Sequence, residues 1–219
     1  MPDFNENVHI EFGGSPKVSL RSRGNGTQHY SIRVTNDSDT QTTLPSGVRI
    51  GKKLIIRNED QSRDELIIDE KGNIQVLGDI RLAGADCAEH FEIDALQTLE
   101  PGTVMVIGSE GALHRCDAAY DIRVAGVISG AGDLRPALIL GTDPTHCGRL
   151  PLALSGKVQC KVDAQFFPVA AGDMLTTSPS PGYAMKANDP KRAFGAVIGK
   201  ALRSLPEGQG LIPILIALQ

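Results

Sequence analysis

Short hydrophobic segments separated by turn-forming residues run through the first 85 positions of the chain. Apolar residues in these segments recur at every second position or form triplets, and no stretch keeps a helical period. The segments cover residues 18–20, 32–34, 48–50, 54–56, 66–68, 74–76 and 80–82. Glycine, proline, asparagine and aspartate cluster between them, as they do in turns. Because alternation is typical of β-strands, the pattern predicts an all-β protein built from short strands.

The composition changes after residue 85, which predicts a domain boundary there. Residues 1–16 are predicted to be an N-terminal tail or first rung, 17–85 a β-rich stalk, and 86–219 a C-terminal β domain. The triplets Leu54-Ile55-Ile56 and Leu66-Ile67-Ile68 indicate burial on more than one face. A narrow core shared by three chains, in a short β-helical or prism-like stalk, fits this pattern better than a monomeric β-sandwich, which stays open as the alternative.

The C-terminal part contains a weak internal repeat, in which residues 99–131 align with 169–201. Both copies have a glycine turn, a strand, a second glycine turn and a glycine-flanked Val-Ile strand. The matched positions are Gly102 with Gly172, Gly111 with Gly182, and Val127-Ile128 with Val197-Ile198. The repeat predicts a duplicated, β-barrel-like domain.

Charge and composition narrow the classes of partner. The net charge of −4 offers no basic field for a nucleic-acid backbone, so we expect no nucleic-acid partner. No apolar run has the length of a membrane span, and the N-terminus lacks a signal-peptide pattern. The four cysteines are irregularly spaced, which favours reduced thiols. We therefore expect synthesis in the cytoplasm, with incorporation into a phage-like or extracellular particle as an open option.

The segment ADCAEHFEID holds the most concentrated acidic chemistry of the chain. A pair of carboxyl groups can act as general acid and base when burial separates their pKa values. We expect Asp86, Cys87 and Glu89 to lie at the turn where the stalk meets the C-terminal domain, with Asp86 and Glu89 as candidate catalytic residues. The alternative is that Asp86 caps a turn and Glu89 is a solvated charge.

Thiols and imidazoles give a weaker constellation. The candidate metal ligands are Cys87, His90, His114 and Cys116, with His146, Cys147 and Cys160 further along the chain. Zinc favours such ligands in sets of four, but none of these spacings is the paired Cys-x-x-Cys type. A cysteine nucleophile with a histidine base is also conceivable, and so is a role of the cysteines as small buried hydrophobic residues. We expect no bound metal and no cofactor.

The segments GDIRLAGADCAEHFE and PGTVMVI…YDIRVAGVISG resemble the autoproteolytic C-terminal domain of phage pre-neck appendage and tail-fibre proteins. That group is classed with glutamic peptidases and intramolecular chaperones. The resemblance rests on an Ala-Asp-x-Ala-Glu-x-Phe motif, a Pro-Gly turn and a Val-x-Gly-Val-x-Ser segment. The second half of the chain is similar to a bacterial extension of that domain, and the resemblance covers roughly residues 72–219.

The resemblance implies a domain at the C-terminus of a trimeric β-helical fibre, where it helps three chains align and in some members cleaves itself from the shaft. Carried over to this sequence, it implies that Glu89 activates water or the attacking group and that Asp86 orients or protonates the amide. The implied scissile region is 82–85. The predicted stalk is short, however, so release of the rest of the chain would leave little behind.

The residues and the resemblance together favour a trimeric, fibre-like structural or assembly protein whose C-terminal domain sets trimer registration. Its expected partners are copies of itself and a larger fibre or tail-like assembly. A single-turnover glutamic-type autoprotease cleaving near residues 82–85 is the alternative function. A metal-binding module is the second alternative.

Overall fold

The computed structural model describes residues 17–21, 29–35, 53–58, 62–69, 71–94, 99–142 and 148–217. The chain divides into two compact units, Met1–Arg81 and Leu82–Gln219. Strands dominate the described residues of both units, and the prediction of an all-β fold is confirmed.

The N-terminal unit contains an antiparallel meander of five strands. They are β1 (Lys17–Arg21), β2 (His29–Thr35), β3 (Lys53–Asn58), β4 (Arg63–Asp69) and β5 (Ile74–Val76). Each strand pairs with the next along the chain. The predicted tail at 1–16 and the predicted strand at 48–50 lie outside the described residues.

Asp69 closes the hairpin between β4 and β5. Its Oδ1 accepts hydrogen bonds from the backbone N–H groups of Lys71 and Asn73, both at 2.9 Å. Its Oδ2 accepts one from the side-chain amide of Asn73, and this bond is the largest cause of the lowered pKa of Asp69. Gly72 has a φ of 81°, a conformation that glycine adopts without strain. The Lys-Gly-Asn signal in the sequence therefore forms the turn it predicts.

The described part of the N-terminal unit forms a single layer. Among its described side chains, Ile55 alone is fully buried, and those of β4 are half-buried or exposed. An apolar sheet face is stabilised when it packs against a second layer.

The meander bears on the form of the predicted stalk. A parallel β-helix stacks parallel rungs, whereas β1 to β5 are consecutive and antiparallel. Within one chain the described strands therefore form an antiparallel sheet, and the form of the assembled stalk, β-helical or prism-like, stays a prediction. One antiparallel sheet per chain is compatible with the prism-like form, and the three-chain arrangement stays a prediction.

The C-terminal unit contains ten strands and one short helix among its described residues. The first five strands are β6 (Asp86–Glu92), β7 (Val104–Ile107), β8 (Leu113–Arg115), β9 (Val124–Ile128) and β10 (Pro136–Leu140). They are followed by β11 (Arg149–Asp163), β12 (Met174–Thr177), β13 (Ala184–Lys186), α1 (Pro190–Ala193), β14 (Val197–Ala201) and β15 (Gln209–Ile216).

The second half of this unit is a closed five-stranded barrel. β11 pairs with β15, β15 with β14, β14 with β12 and β12 with β13, all antiparallel. A parallel pair between Val162 and Ala184 returns from β13 to β11 and closes the ring. Each strand contributes a buried aliphatic side chain to one core: Val158, Leu175, Ala184, Ile198 and Ile214. The core is aliphatic because the sequence has no tryptophan and few other aromatic residues.

The first half repeats this strand order. The N-terminal part of β11 pairs with β9, β9 with β7 and β7 with β8, while β6 pairs with the other edge of β11. A single parallel bridge between Ile93 and Leu113 connects the end of β6 to β8. The two halves share β11, whose 15 residues serve both. This is the duplicated, barrel-like arrangement that the sequence predicts.

The register of the third strand in each copy corrects the sequence alignment. Val106 pairs with Val124 in the first copy, and Thr176 pairs with Val197 in the second. Val124 therefore corresponds to Val197, and the alignment of Val127 with Val197 is wrong by three positions. Two of the three positions come from a longer connection before the third strand of the second copy, which holds α1, and one comes from a longer turn between the first two strands.

Helix α1 is a single turn. Asp189 caps it by accepting a hydrogen bond from the backbone N–H of Lys191 at 3.0 Å, and Pro190 is its first residue. No helix in the described part of the chain has the length and apolar character needed to cross a membrane.

Candidate functional site

Asp86 opens strand β6 and lies between two other strands of the C-terminal unit. Its backbone pairs with Pro136 of β10 on one side and with Gly156 of β11 on the other. A Cβ at Gly156, which has a φ of 105°, would lie 2.5 Å from the carbonyl oxygen of Ala85. A Cβ at Gly84 would collide with the backbone of Ala137. Two glycines thus allow the neighbouring strands to enclose the start of β6, where the sequence predicts a turn.

Asp86 is only 3% exposed, and its side chain makes one hydrogen bond. Its Oδ1 accepts from the hydroxyl of Ser129 at 2.9 Å, and Ser129 is 2% exposed. The backbone N–H of Ser129 donates to the carbonyl of Pro151 at 2.8 Å, which fixes the position of the hydroxyl. Oδ2 of Asp86 is buried and has no hydrogen-bond partner. Because burial penalises the charged form, it raises the pKa of Asp86, and the bond from Ser129 opposes this shift.

Glu89 lies on the same strand but faces the other way. It follows Asp86 by three positions, and successive side chains of a strand point to opposite faces. The register shifts near this position lie in β10 and β11, so β6 itself stays regular. Glu89 is half-buried and pairs with Leu140 and Leu152. The structure therefore does not bring the two candidate carboxyl groups together within one chain.

The predicted scissile region, 82–85, is exposed over its first three residues and hydrogen-bonded at its last. Leu82, Ala83 and Gly84 are exposed, and within the described residues the backbone of 78–84 forms no hydrogen bond. Ala85 is held on both sides, because its N–H donates to the carbonyl of Arg135 at 2.8 Å and its carbonyl accepts from Lys157 N–H at 3.0 Å. The peptide bonds before Ala85 are therefore the accessible ones.

Ser129 is the residue of this site that sequence reasoning missed. The Gly-rich segment that follows it looks like a plain turn in the sequence. Arg135 organises that segment, since its Nη1 donates to the carbonyls of Gly130 at 2.6 Å, Gly132 at 2.8 Å and Leu134 at 3.1 Å. The available signal was that Ser129 ends the Val-x-Gly-Val-x-Ser segment. That segment and the Ala-Asp-x-Ala-Glu-x-Phe motif meet in the buried bond between Ser129 and Asp86.

The candidate metal ligands are placed apart. Cys87, His90 and His114 are half-buried, and Cys116 is fully buried. Among the described residues, no group of three or more histidine, cysteine, aspartate or glutamate side chains could hold a metal ion. His146 and Cys147 lie outside the described residues.

The two other described cysteines are core residues. Burial raises the pKa of the Cys116 thiol to about 11, and its Sγ donates to the carbonyl of Tyr183 at 3.3 Å. Burial also raises the pKa of Cys160. A thiol that resists deprotonation is a poor metal ligand and a poor nucleophile, so both behave as small hydrophobic residues.

Asp163, at the end of β11, is the contrasting buried acid. Its Oδ1 accepts from the N–H of Gln165 at 2.8 Å. Its Oδ2 accepts from the hydroxyl of Ser180 at 2.5 Å and from the amide of Gln209 at 2.9 Å. Burial opposes ionisation here too, but the hydrogen bonds from Ser180, Gln209 and Gln165 together lower the pKa of Asp163. Asp163 is therefore a satisfied structural carboxylate, whereas Asp86 is not.

The C-terminal unit is an all-β unit of two fused, barrel-like copies. In the first copy, Asp86 at the start of β6 is a buried acid with one oxygen that accepts no hydrogen bond. No protein-family profile matches the chain, and no curated protein matches its sequence. Among solved structures, the chain is similar to pre-mature bacteriophage phi29 gene product 12, with a TM-score of 0.53 and 14% sequence identity. The match covers 70% of this chain and 24% of that chain. At this identity the likeness shows a shared fold, and the matched part is about a quarter of the phage protein.

Proposed function

We propose that this chain is a structural or assembly subunit of a fibre, built as a homotrimer in which the C-terminal unit sets the register of three N-terminal sheets. The observation that carries the proposal is the fold, which extends over 70% of the chain and is similar to that of a bacteriophage gene product. The larger assembly is then a phage-like particle or a related tail-like structure, and copies of this chain are the first partners.

The state of the N-terminal unit supports the proposal. Its described strands form one layer with half-buried side chains on β4. A layer of this kind needs a second apolar surface, and sheets of two further copies supply one in a three-sided stalk. The triplet Leu66-Ile67-Ile68 fits such a stalk because it places apolar groups on both faces of the sheet.

Registration follows from the order of events. The C-terminal unit has a closed barrel and a continuous core, so it folds and associates first. Association raises the effective concentration of the attached N-terminal strands, and their pairing between chains then begins in register. Without it, that non-local pairing is slow.

Refolding of the full chain from urea tests this mechanism. We expect the rate at which native strand signal returns to rise with protein concentration, because association precedes completion of the stalk. The signal is followed by circular dichroism at several concentrations. A rate that does not depend on concentration would contradict registration by the C-terminal unit.

A second proposal is a single-turnover autoprotease that cleaves the chain near residues 82–85. The observation in its favour is Asp86, a buried carboxyl with a raised pKa and an unpartnered Oδ2 directly beside the accessible turn. In the reaction, water adds to one peptide carbonyl, the C–N bond breaks, and the leaving amine takes a proton. Asp86 is the proposed acid that protonates this nitrogen, and Glu89 is the proposed base that takes a proton from water.

The geometry constrains this second proposal. Since Asp86 and Glu89 point to opposite faces of β6, the base that acts at the turn of one copy has to come from a neighbouring copy. Cleavage would then depend on assembly.

Mass spectrometry of the purified full chain tests the protease. Two fragments that meet near residues 82–85, and that are missing in Glu89→Gln and Asp86→Asn, are the expected result. An intact mass that persists for days across a range of pH would contradict the proposal and would leave the structural role unaffected.

A further inference from the structure

Strand β10 has an uncovered apolar edge. It pairs in parallel with β6 on one side, and no described strand pairs with its other side. Its residues Leu138, Ile139 and Leu140 are 46%, 38% and 43% exposed. Natural edge strands are usually protected by charges, by proline or by a covering segment. Here Pro136 protects only the first position, and the strand carries no charge.

Residues 79–82 form a second apolar segment that pairs with no strand among the described residues. Ile80 and Leu82 are 68% and 52% exposed, and they alternate with Asp79 and Arg81. This is the two-residue period of a strand. Within the described residues, the backbone of 79–82 forms no hydrogen bond. The segment 79–82 is thus a strand-like stretch with one apolar face and no strand beside it.

The chain enters β6 along the side of β10 that β6 already covers. Gly84 lies against the backbone of Ala137, and Ala85 donates to the carbonyl of Arg135. Residues 84 and 85 therefore do not cover the other edge of β10.

We propose that β10 accepts the segment 79–82 of a second copy of this chain as an added strand. Ile80 and Leu82 share one face of the donor, and Leu138 and Leu140 share one face of the acceptor, so the pairs pack side by side. The apolar edge formed by Leu138 and Leu140 favours the apolar face of this donor, which Ile80 and Leu82 form. The inference rests on the proposed homotrimer, because it names the contact through which the copies associate.

The contact is heterologous, since each copy uses one donor segment and one acceptor edge. Contacts of this type close into rings when the rotation between copies allows it. A ring of three satisfies every donor and every acceptor. The contact therefore accounts for a limited assembly, although an edge strand alone would allow indefinite growth.

Sedimentation equilibrium of the full chain tests the proposal with three variants. Ile80→Asp changes the donor, Leu138→Asp changes the acceptor, and Phe194→Asp changes an apolar residue that is 92% exposed on another part of the unit. At a concentration where the wild type is a trimer, the donor and acceptor variants are expected to have the mass of one chain. Phe194→Asp is expected to keep the trimer mass. Circular dichroism confirms folding, and Ile80→Asp is safe in this respect because its side chain is exposed.

Mixing gives the sharpest outcome. The donor variant keeps an intact β10 edge and the acceptor variant keeps an intact donor segment, so an equimolar mixture is expected to form a species of two chains. A mixture that stays at one chain overturns the heterologous contact. Trimers that persist in both single variants, or that are lost only in Phe194→Asp, overturn the inference and leave the proposed homotrimer standing. A wild type with the mass of one chain would contradict both the inference and the proposed homotrimer.

Discussion

The two copies of the C-terminal repeat share a strand order but differ in how completely their groups are bonded. The second copy closes its barrel through β11 and β13, and its buried Asp163 uses both oxygens. The first copy likewise closes through a single parallel pair, but it leaves Oδ2 of Asp86 without a partner and carries strand β10, whose other edge no described strand covers. Under the proposed function, this difference corresponds to a division of roles, in which the second copy supplies stability and the first supplies the contacts between chains or the proposed chemistry.

The largest expected changes in unfolding free energy come from glycines, one in each copy, at which two strands lie too close for a side chain. A Cβ at Gly199 would collide with the carbonyl of Leu215, and one at Gly126 would lie 2.7 Å from the carbonyl of Ala153. We expect Gly199→Ala to cost about 3 kcal/mol and Gly126→Ala about 2 kcal/mol of unfolding free energy. Urea unfolding at fixed protein concentration measures both. Gly78→Ala is the control, since its Cβ meets nothing within 4 Å.

Equal tolerance of Gly199→Ala and Gly78→Ala would show that the second copy is not the tightly closed one.

Removal of the two buried acids should have unequal effects. Asp163→Ala leaves the donors of Gln165, Ser180 and Gln209 without their acceptor, and we expect a loss of about 2–3 kcal/mol. Asp86→Ala leaves one donor, on Ser129, and removes an unsatisfied oxygen, so a loss of about 1 kcal/mol is expected. Urea midpoints of the two variants give the comparison. The reverse order would contradict the assignment of the structural acid.

Ser129→Ala isolates the single bond to Asp86. We expect a loss of about 1 kcal/mol and a further rise of the pKa of Asp86, because the hydroxyl bond opposes the effect of burial. Carboxyl carbon NMR during a pH titration reports the pKa. Ser109→Ala, at an exposed position, is the control and should change neither quantity. An unchanged pKa in Ser129→Ala would mean that the hydroxyl does not stabilise the charged carboxylate.

The pH dependence of stability is the smallest effect, and its sign differs between the acids. The folded state raises the pKa of Asp86, so its contribution is most favourable at low pH and is lost as the pH rises through the folded value. The folded state lowers the pKa of Asp163, so its contribution is present above the unfolded value of about 3.9 and is lost as the pH falls.

At higher pH, Asp86→Asn should therefore be more stable relative to wild type than it is at low pH. Asp163→Asn should be less stable relative to wild type at higher pH than it is at low pH. Slopes of the same sign in the two variants would contradict the contrast.

Local sequence patterns were sufficient for the strands and for the existence of the repeat. Alternation and turn residues predict β4, β5 and the turn at Gly72, because these depend on neighbours along the chain. The offset of the third strand was not predictable from a few identities, since longer connections in the second copy, one of which holds α1, shift it.

The site was predictable only in part. The acids stand out in the sequence, but the expected turn at Asp86 is the start of a strand, because Gly84 and Gly156 let β10 and β11 approach on both sides. This strand places Glu89 on the opposite face. The partner of Asp86 is Ser129, 43 positions away, and only the packing of β9 against β11 brings it there.

The mass of the intact chain in solution tests the central claim most directly. One chain has a mass of 23.3 kDa. Sedimentation equilibrium over a range of concentrations is expected to give three times this mass, with no larger species, because three donors and three acceptors close one ring. A mass of 23.3 kDa at every concentration would contradict the account.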